Sequence, residues 1–145
     1  DSMGPPKSEA DMRFEKEIMY KPVFAPIVKS GDKIFIINYT ESSIECYDTC
    51  FQELQKIPIH FQNSRFCKNE IIVDDITGKI YAVFKDRGKT SVREIFMERG
   101  ELGQMINIPD FYWIDNVKIY NDNLYFLYRE KYSTKLRSLY RMSLN

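Results

Sequence analysis

Histidine is almost missing from this chain: His60 is the only one in 145 residues. Any Ser-His-Asp or Cys-His machinery would rest on that one side chain, the only group whose ordinary pKa lies near neutrality. Cysteine is sparse too. Cys46, Cys50 and Cys67 leave at least one thiol unpaired, and the Cys46-x3-Cys50 spacing is wrong for the common zinc knuckles. A Cys46–Cys50 disulfide would require a turn that brings the two Cα atoms within about 7 Å. Net charge is also missing: 21 Lys and Arg balance 21 Asp and Glu. That balance argues against a general nucleic-acid binder, which needs a basic footprint. No apolar run approaches the length of a transmembrane segment, and no signal peptide is visible. A Gly-rich phosphate loop, a nucleophile elbow and a zinc helix motif are all lacking. From these absences neither a metal nor a cofactor is expected, and catalysis is the weaker expectation.

What is present is aromatic and repetitive. Phe, Tyr and Trp make up 14% of the chain, which suits strands better than helices. One phrase occurs three times: Gly31-Asp32-Lys33-Ile34-Phe35-Ile36-Ile37, Thr77-Gly78-Lys79-Ile80-Tyr81-Ala82-Val83-Phe84 and Asn121-Asp122-Asn123-Leu124-Tyr125-Phe126-Leu127-Tyr128. Each is a tight turn followed by an apolar run. The aliphatic positions 34, 80 and 124 stand 46 and 44 residues apart. A β-type unit at that period is the signature of propeller blades.

The expected fold class is all-β and propeller-like: three four-stranded antiparallel blades, half of a six-bladed ring. Residues 1–22 read as a tail or edge segment, and 23–145 as the blades, at about 23–61, 66–110 and 112–145. In the first unit the strands fall near Phe24–Lys29, Lys33–Tyr39, Ser43–Tyr47 and Phe51–Pro58. In the second they fall at Glu70–Asp74, Lys79–Lys85, Ser91–Glu98 and Glu101–Pro109. In the third they fall at Asp115–Tyr120, Asn123–Arg129 and Lys135–Ser143. The third unit then shows no fourth strand of its own, and Met12–Tyr20 is the free candidate to supply one. Strand two of each unit is the most continuously apolar and is expected to be the most buried. Ile57-Pro58 and Ile108-Pro109 close their units as edge strands permit.

Those turn-plus-strand phrases, with Ile44-Glu45-Cys46-Tyr47-Asp48, Phe51-x-x-Leu54 and the closing Ile-Pro pairs, carry a resemblance. The chain resembles the six-bladed β-propeller proteins of Bacteroidetes, many of them uncharacterised secreted proteins or lipoproteins. The resemblance covers about residues 23–145 and implies an extracytoplasmic setting. Three blades would leave two open blade faces, so self-association or a missing half-propeller is the expected partner. The first blade's outward face is expected to carry Phe35, Ile37 and Ile44, and the last blade's Tyr125, Leu127 and Leu139.

Propeller ligands usually lie over one face, among the blade-to-blade loops and the loops between strands two and three. Here those are 60–68 and 110–114, then 40–43, 85–90 and 129–134. They place His60, Arg65, Arg87, Tyr112, Trp113 and Arg129 as candidate ligand-binding residues. Aromatic faces stack on sugars, and Arg offers a planar fork to carboxylates. The alternative role for Phe111-Tyr112-Trp113 is to plug gaps between blades. Asp74-Asp75 falls short of a calcium site and reads as the end of a strand and the start of a turn. The expected function is a non-catalytic scaffold for a protein or glycan ligand. The alternative is a glycan-active hydrolase or lyase over the channel; a glycosidase would need two carboxylates about 5–10 Å apart.

Overall fold

The computed structural model describes residues 23–130 and 137–145, with Pro5, Ser8 and Glu9. The expected strand at Met12–Tyr20, the loop at 131–134 and the start of the last strand at Lys135 lie outside the described residues. The described residues form three antiparallel sheets in sequence order. The first holds β1 (Ile27–Ser30), β2 (Lys33–Asn38), β3 (Ser43–Asp48) and β4 (Glu53–Pro58). The second holds β5 (Cys67–Val73), β6 (Ile80–Asp86), β7 (Lys89–Phe96) and β8 (Glu101–Asn107). The third holds β9 (Asp115–Tyr120), β10 (Asn123–Tyr128) and β11 (Ser138–Ser143), with β10 in the middle. Each strand pairs with its sequence neighbour, so every sheet is a meander and the fold is all-β and propeller-like.

Turn chemistry sets these strands. Arg87-Gly88 and Asn121-Asp122 each join two strands, with positive φ at both residues. That backbone matches the twist of a two-residue hairpin. The repeat Lys33, Lys79 and Asn123 therefore begins each second strand or stands one residue before it.

The sheets pack face to face through β6, whose side chains alternate between two neighbours. Ile80, Ala82 and Phe84 point to the first sheet and meet Val28, Ile37 and Ile44. Tyr81 and Val83 point to the third sheet and meet Val117, Leu124 and Phe126. Each such buried side chain is worth about 1.5–3 kcal/mol. The first junction is built of apolar groups and tight approaches. A Cβ on Gly100, which has φ +69°, would meet the Pro58 carbonyl oxygen at 2.7 Å.

The second junction adds a polar clasp. Asp74 is fully buried at the end of β5. Its carboxylate accepts N–H bonds from Ile76 (3.0 Å) and Thr77 (3.3 Å) in its own loop. It also accepts from Asn121 (2.9 Å) and Asp122 (2.8 Å) in the third sheet's turn. Burial pushes this carboxyl up, but the four backbone donors outweigh it and hold it well below the usual carboxylate range. Lys79 reaches Asp122 at 3.4 Å beside the clasp. The Asp74-Asp75 pair thus separates: Asp74 ties two sheets together, and Asp75 is exposed in the loop.

The third sheet shows β9, β10 and β11, the three strands expected of that unit itself, and the segment expected to supply a fourth, Met12–Tyr20, lies outside the described residues. After β11 the Leu144 N–H donates to the Asp122 carbonyl at 2.9 Å, which continues the β10–β11 register by one more pair. Two expectations change, the burial of strand two in the first sheet and the facing of that sheet's Phe35, Ile37 and Ile44. Strand two is the most enclosed element in the middle sheet, but in the first sheet β3 buries more positions than β2. The reason is that Ile34 and Ile36 of β2 lie on the face away from the second sheet and stay half-exposed. Ile37 and Ile44, expected on that outward face, are instead enclosed against the second sheet, and Phe35 packs with them. Tyr125, Leu127 and Leu139 do occupy the third sheet's far face, alternating with Leu124, Phe126 and Tyr140. All three cysteines are free: Cys46 is buried, Cys50 lies exposed in the β3–β4 turn and Cys67 is half-buried.

Candidate functional site

A cavity of about 430 Å3 opens where the β6–β7 hairpin of the second sheet meets the linker into the third. Its lining includes Lys68, Lys85, Arg87, Thr90, Trp113 and Asp115. The volume lies within the ordinary range of small-ligand sites, roughly 300–1,000 Å3.

Trp113 is its defining side chain. The hairpin turn ends on Gly88, whose φ of +83° suits glycine. The missing Cβ leaves a seat that the indole fills, because any Cβ on Gly88 would overlap the ring. The Trp113 N–H donates to the Gly88 carbonyl at 2.7 Å. Trp113 itself has φ +56°, a left-handed backbone that bulky residues seldom adopt and that costs about 1–3 kcal/mol. Despite this anchoring, 77% of the residue remains exposed. A strained backbone thus holds a large apolar face toward solvent, where it can stack on a ring ligand.

Three cations line the same cavity. Arg87 occupies the hairpin turn, and its guanidinium reaches Asp86 at 3.8 Å while almost wholly exposed. Lys85 ends the apolar stretch of β6 and reaches Glu70 at 3.9 Å. Pairs this long and this exposed contribute little. Lys68 makes no ion pair among the described residues. It sits where the β5–β6 ladder jumps from Cys67–Phe84 to Ile71–Ala82. Such a bulge breaks the alternation of the strand and re-aims side chains. The cavity's one carboxylate among the described residues, Asp115, is engaged by Arg137 at 3.3 Å.

The candidate residues divide. Arg87 and Trp113 line this cavity together. Tyr112 is next to it in sequence and 52% exposed but lines no described cavity. His60 is exposed, and its carbonyl accepts the Asn63 N–H at 3.1 Å where a short 3-10 turn, Phe61–Asn63, begins. Arg65 lies over the Phe66 ring, 4.7 Å from its centroid. Both belong to the linker between the first and second sheets, and neither lines the cavity that holds Trp113. Arg129 is exposed beyond β10 and lines no described cavity. The Phe111-Tyr112-Trp113 cluster splits likewise. Phe111 turns inward against Phe126, Tyr128 and Tyr140, with centroids 5.1, 5.0 and 4.7 Å away. It plugs the third sheet, while Trp113 faces out.

Lys68 and Lys85 were not singled out from the sequence. Lys85 could have been, because it stands where the apolar run of strand two meets a ligand-side loop. Lys68 depends on a bulge that no turn residue announces. A second cavity, about 520 Å3, is lined by Phe61, Phe66, Phe84, Leu102 and Met105 with Lys89 at its rim. It is the gap between the first linker and the second sheet, and its aromatic rings are packed into the apolar junction rather than presented.

No protein family's sequence pattern matches the chain. No curated protein matches it either. Among solved structures it is similar to the alpha-L-arabinofuranosidase CtGH43 from Clostridium thermocellum ATCC 27405, at 18% identity and a TM-score of 0.42. The likeness covers 83% of this chain and 47% of that one, so the chain spans about half the length of the protein it matches. No helix among the described residues is long and apolar enough to cross a membrane.

Proposed function

We propose that this chain is a binding scaffold that takes a glycan at the mouth between its second and third sheets. One observation carries the reading: Trp113 is held in a strained backbone on the Gly88 seat, yet its ring stays open to solvent. A core aromatic would not need that arrangement, as Phe111 nearby shows by packing inward. The hydrolase alternative asks for two facing carboxylates. This cavity offers Asp115 alone among the described residues, already paired with Arg137. A six-bladed ring, completed by further blades or a second copy, belongs to the same proposal. What supports it is the apolar surface at each end, where Ile27 and Leu139 are largely exposed.

The test uses the full chain and its single tryptophan. Emission is read during titration with a panel of neutral and acidic oligosaccharides. A saturable change with at least one of them, lost in Gly88→Ala with the fold intact by circular dichroism, is the expected result. No change and no heat of binding across the panel would overturn the proposal.

A further inference from the structure

We infer that the ring stacked on Trp113 belongs to a uronic acid: a sugar whose carboxylate is held by Lys68 and Arg87, with Lys85 adding charge behind them. This rests on the glycan reading above and narrows it. The inference comes from the charge of the lining, which a neutral sugar would not need. Lys68, Lys85 and Arg87 line the cavity with Trp113, and the one carboxylate among the described lining residues is engaged by Arg137. The nearest acids to Lys85 and Arg87 stand at 3.9 and 3.8 Å, at surface positions. Such pairs yield readily to a ligand that brings its own charge and excludes water. Lys68 has no acidic partner among the described residues and is turned into the lining by a bulge. Arg87 is fixed at a two-residue turn, so its fork is presented by a rigid hairpin rather than a loose loop. A planar guanidinium matches a carboxylate with two parallel bonds, and an ammonium beside it supplies a point charge. Threonine at position 90, buried in the wall, adds a hydroxyl of the kind that orients a sugar ring.

The chain as a whole has no net charge, so attraction of an acidic polymer would be local to this mouth. That separates the inference from general stickiness toward polyanions.

The experiment is calorimetric titration of the full chain with hexamers of galacturonate and of mannuronate-guluronate. Each is paired with its own fully methyl-esterified form, which keeps the rings and removes the charge. At least one free acid is expected to bind about tenfold or more tightly than its ester, the loss expected when a charged hydrogen bond is removed. That affinity should fall as salt rises. Lys68→Gln and Arg87→Gln should each weaken the acid more than its ester, narrowing the difference between the two. Trp113→Ala should weaken acid and ester alike. If ester and acid bind equally, or neutral glycans alone bind, the inference fails and the glycan reading stands. If no saccharide binds, both fail. If a polyglutamate peptide of equal charge binds as tightly as the acid hexamer, the charged site is real but the sugar assignment is overturned.

Discussion

The two junctions of this molecule solve one packing problem in different ways. Between the first and second sheets, Ile37, Ile44 and Ile59 meet Ile80, Ala82 and Phe84, and the nearest polar event is the Cys67 thiol 3.8 Å from the Tyr39 hydroxyl. Burial pushes that hydroxyl up, and the thiol beside it adds to the shift, so it stays protonated across the ordinary pH range. Between the second and third sheets an apolar core is also present, but a buried carboxylate spans the gap and collects four backbone donors. Apolar burial is non-directional, so the first junction fixes how strongly the sheets adhere more than how they are oriented. Hydrogen bonds are directional, and a charged acceptor holds its donors to a defined geometry. The cavity that carries Trp113 lies on the side of the second sheet with the directional clasp. A site built from two sheets needs their relative placement fixed, and this is the junction that fixes it.

The sharpest test of that contrast is at the apolar junction. Ile44→Ala should cost about 3 kcal/mol, within the range for buried aliphatic truncation, and urea unfolding should give the same cost at pH 4 and pH 8. Next comes Asp74→Asn. The amide keeps one acceptor and turns an NH2 toward a backbone N–H, so a loss of about 2 kcal/mol at pH 7 is expected. Its pH dependence carries the distinction. The native carboxyl titrates below the unfolded value of about 4, so the unfolded chain binds the extra proton as pH drops. Asp74 therefore stabilises fully above about pH 4 and progressively less toward pH 2. The asparagine variant should lack that part of the acid limb. Equal acid limbs in the two proteins would mean that the second junction, like the first, is held by packing alone.

A smaller effect is expected from Gly88→Ala, where a Cβ displaces the indole and the backbone has positive φ. About 1–2 kcal/mol of stability should be lost, and the emission of Trp113 should shift because its surroundings change. The smallest belongs to Lys79→Met. The Lys79–Asp122 pair is partly exposed at 3.4 Å and should contribute less than about 1 kcal/mol, vanishing in high salt. If Lys79→Met proved as costly as Asp74→Asn, the surface pair rather than the buried carboxylate would be the clasp.

Much of this architecture was legible because each strand announces itself by a turn. Lys33, Ser43, Glu101, Asp115 and Asn123 begin strands where the turn chemistry places them. Which face a strand turns to which neighbour was not legible. Alternation divides Ile36 from Ile37, but both are isoleucine, and only the packing shows that Ile37 meets the second sheet. Half of the candidate site could be read for the same reason. Arg87 and Trp113 fall in ligand-side loops, and the loops prove adjacent. His60 and Arg65 fall in an equivalent loop one junction earlier, and nothing in their residue types tells one junction from the next. Phe111 and Trp113 are two residues apart and chemically alike. The positive φ at Asp110 and Trp113 separates them into plug and platform, and neither residue signals that backbone as a glycine would.

The double-sided burial of β6 has a consequence for folding fidelity. In a strand with one wet face, a slip of one residue carries polar groups into the core and is rejected at once. Ile80, Tyr81, Ala82, Val83 and Phe84 are all buried, so a slipped β6 would still offer apolar side chains to both neighbours. Hydrophobic patterning alone cannot proofread this strand. Proofreading falls to its two ends: the Arg87-Gly88 turn that joins it to β7, and the loop that begins at Asp74, whose carboxylate meets the Asn121 and Asp122 N–H donors of the third sheet when the strand is seated. Loosening either end should therefore leave a compact, strand-rich but misthreaded population, because the buried run of β6 itself rejects such near misses weakly.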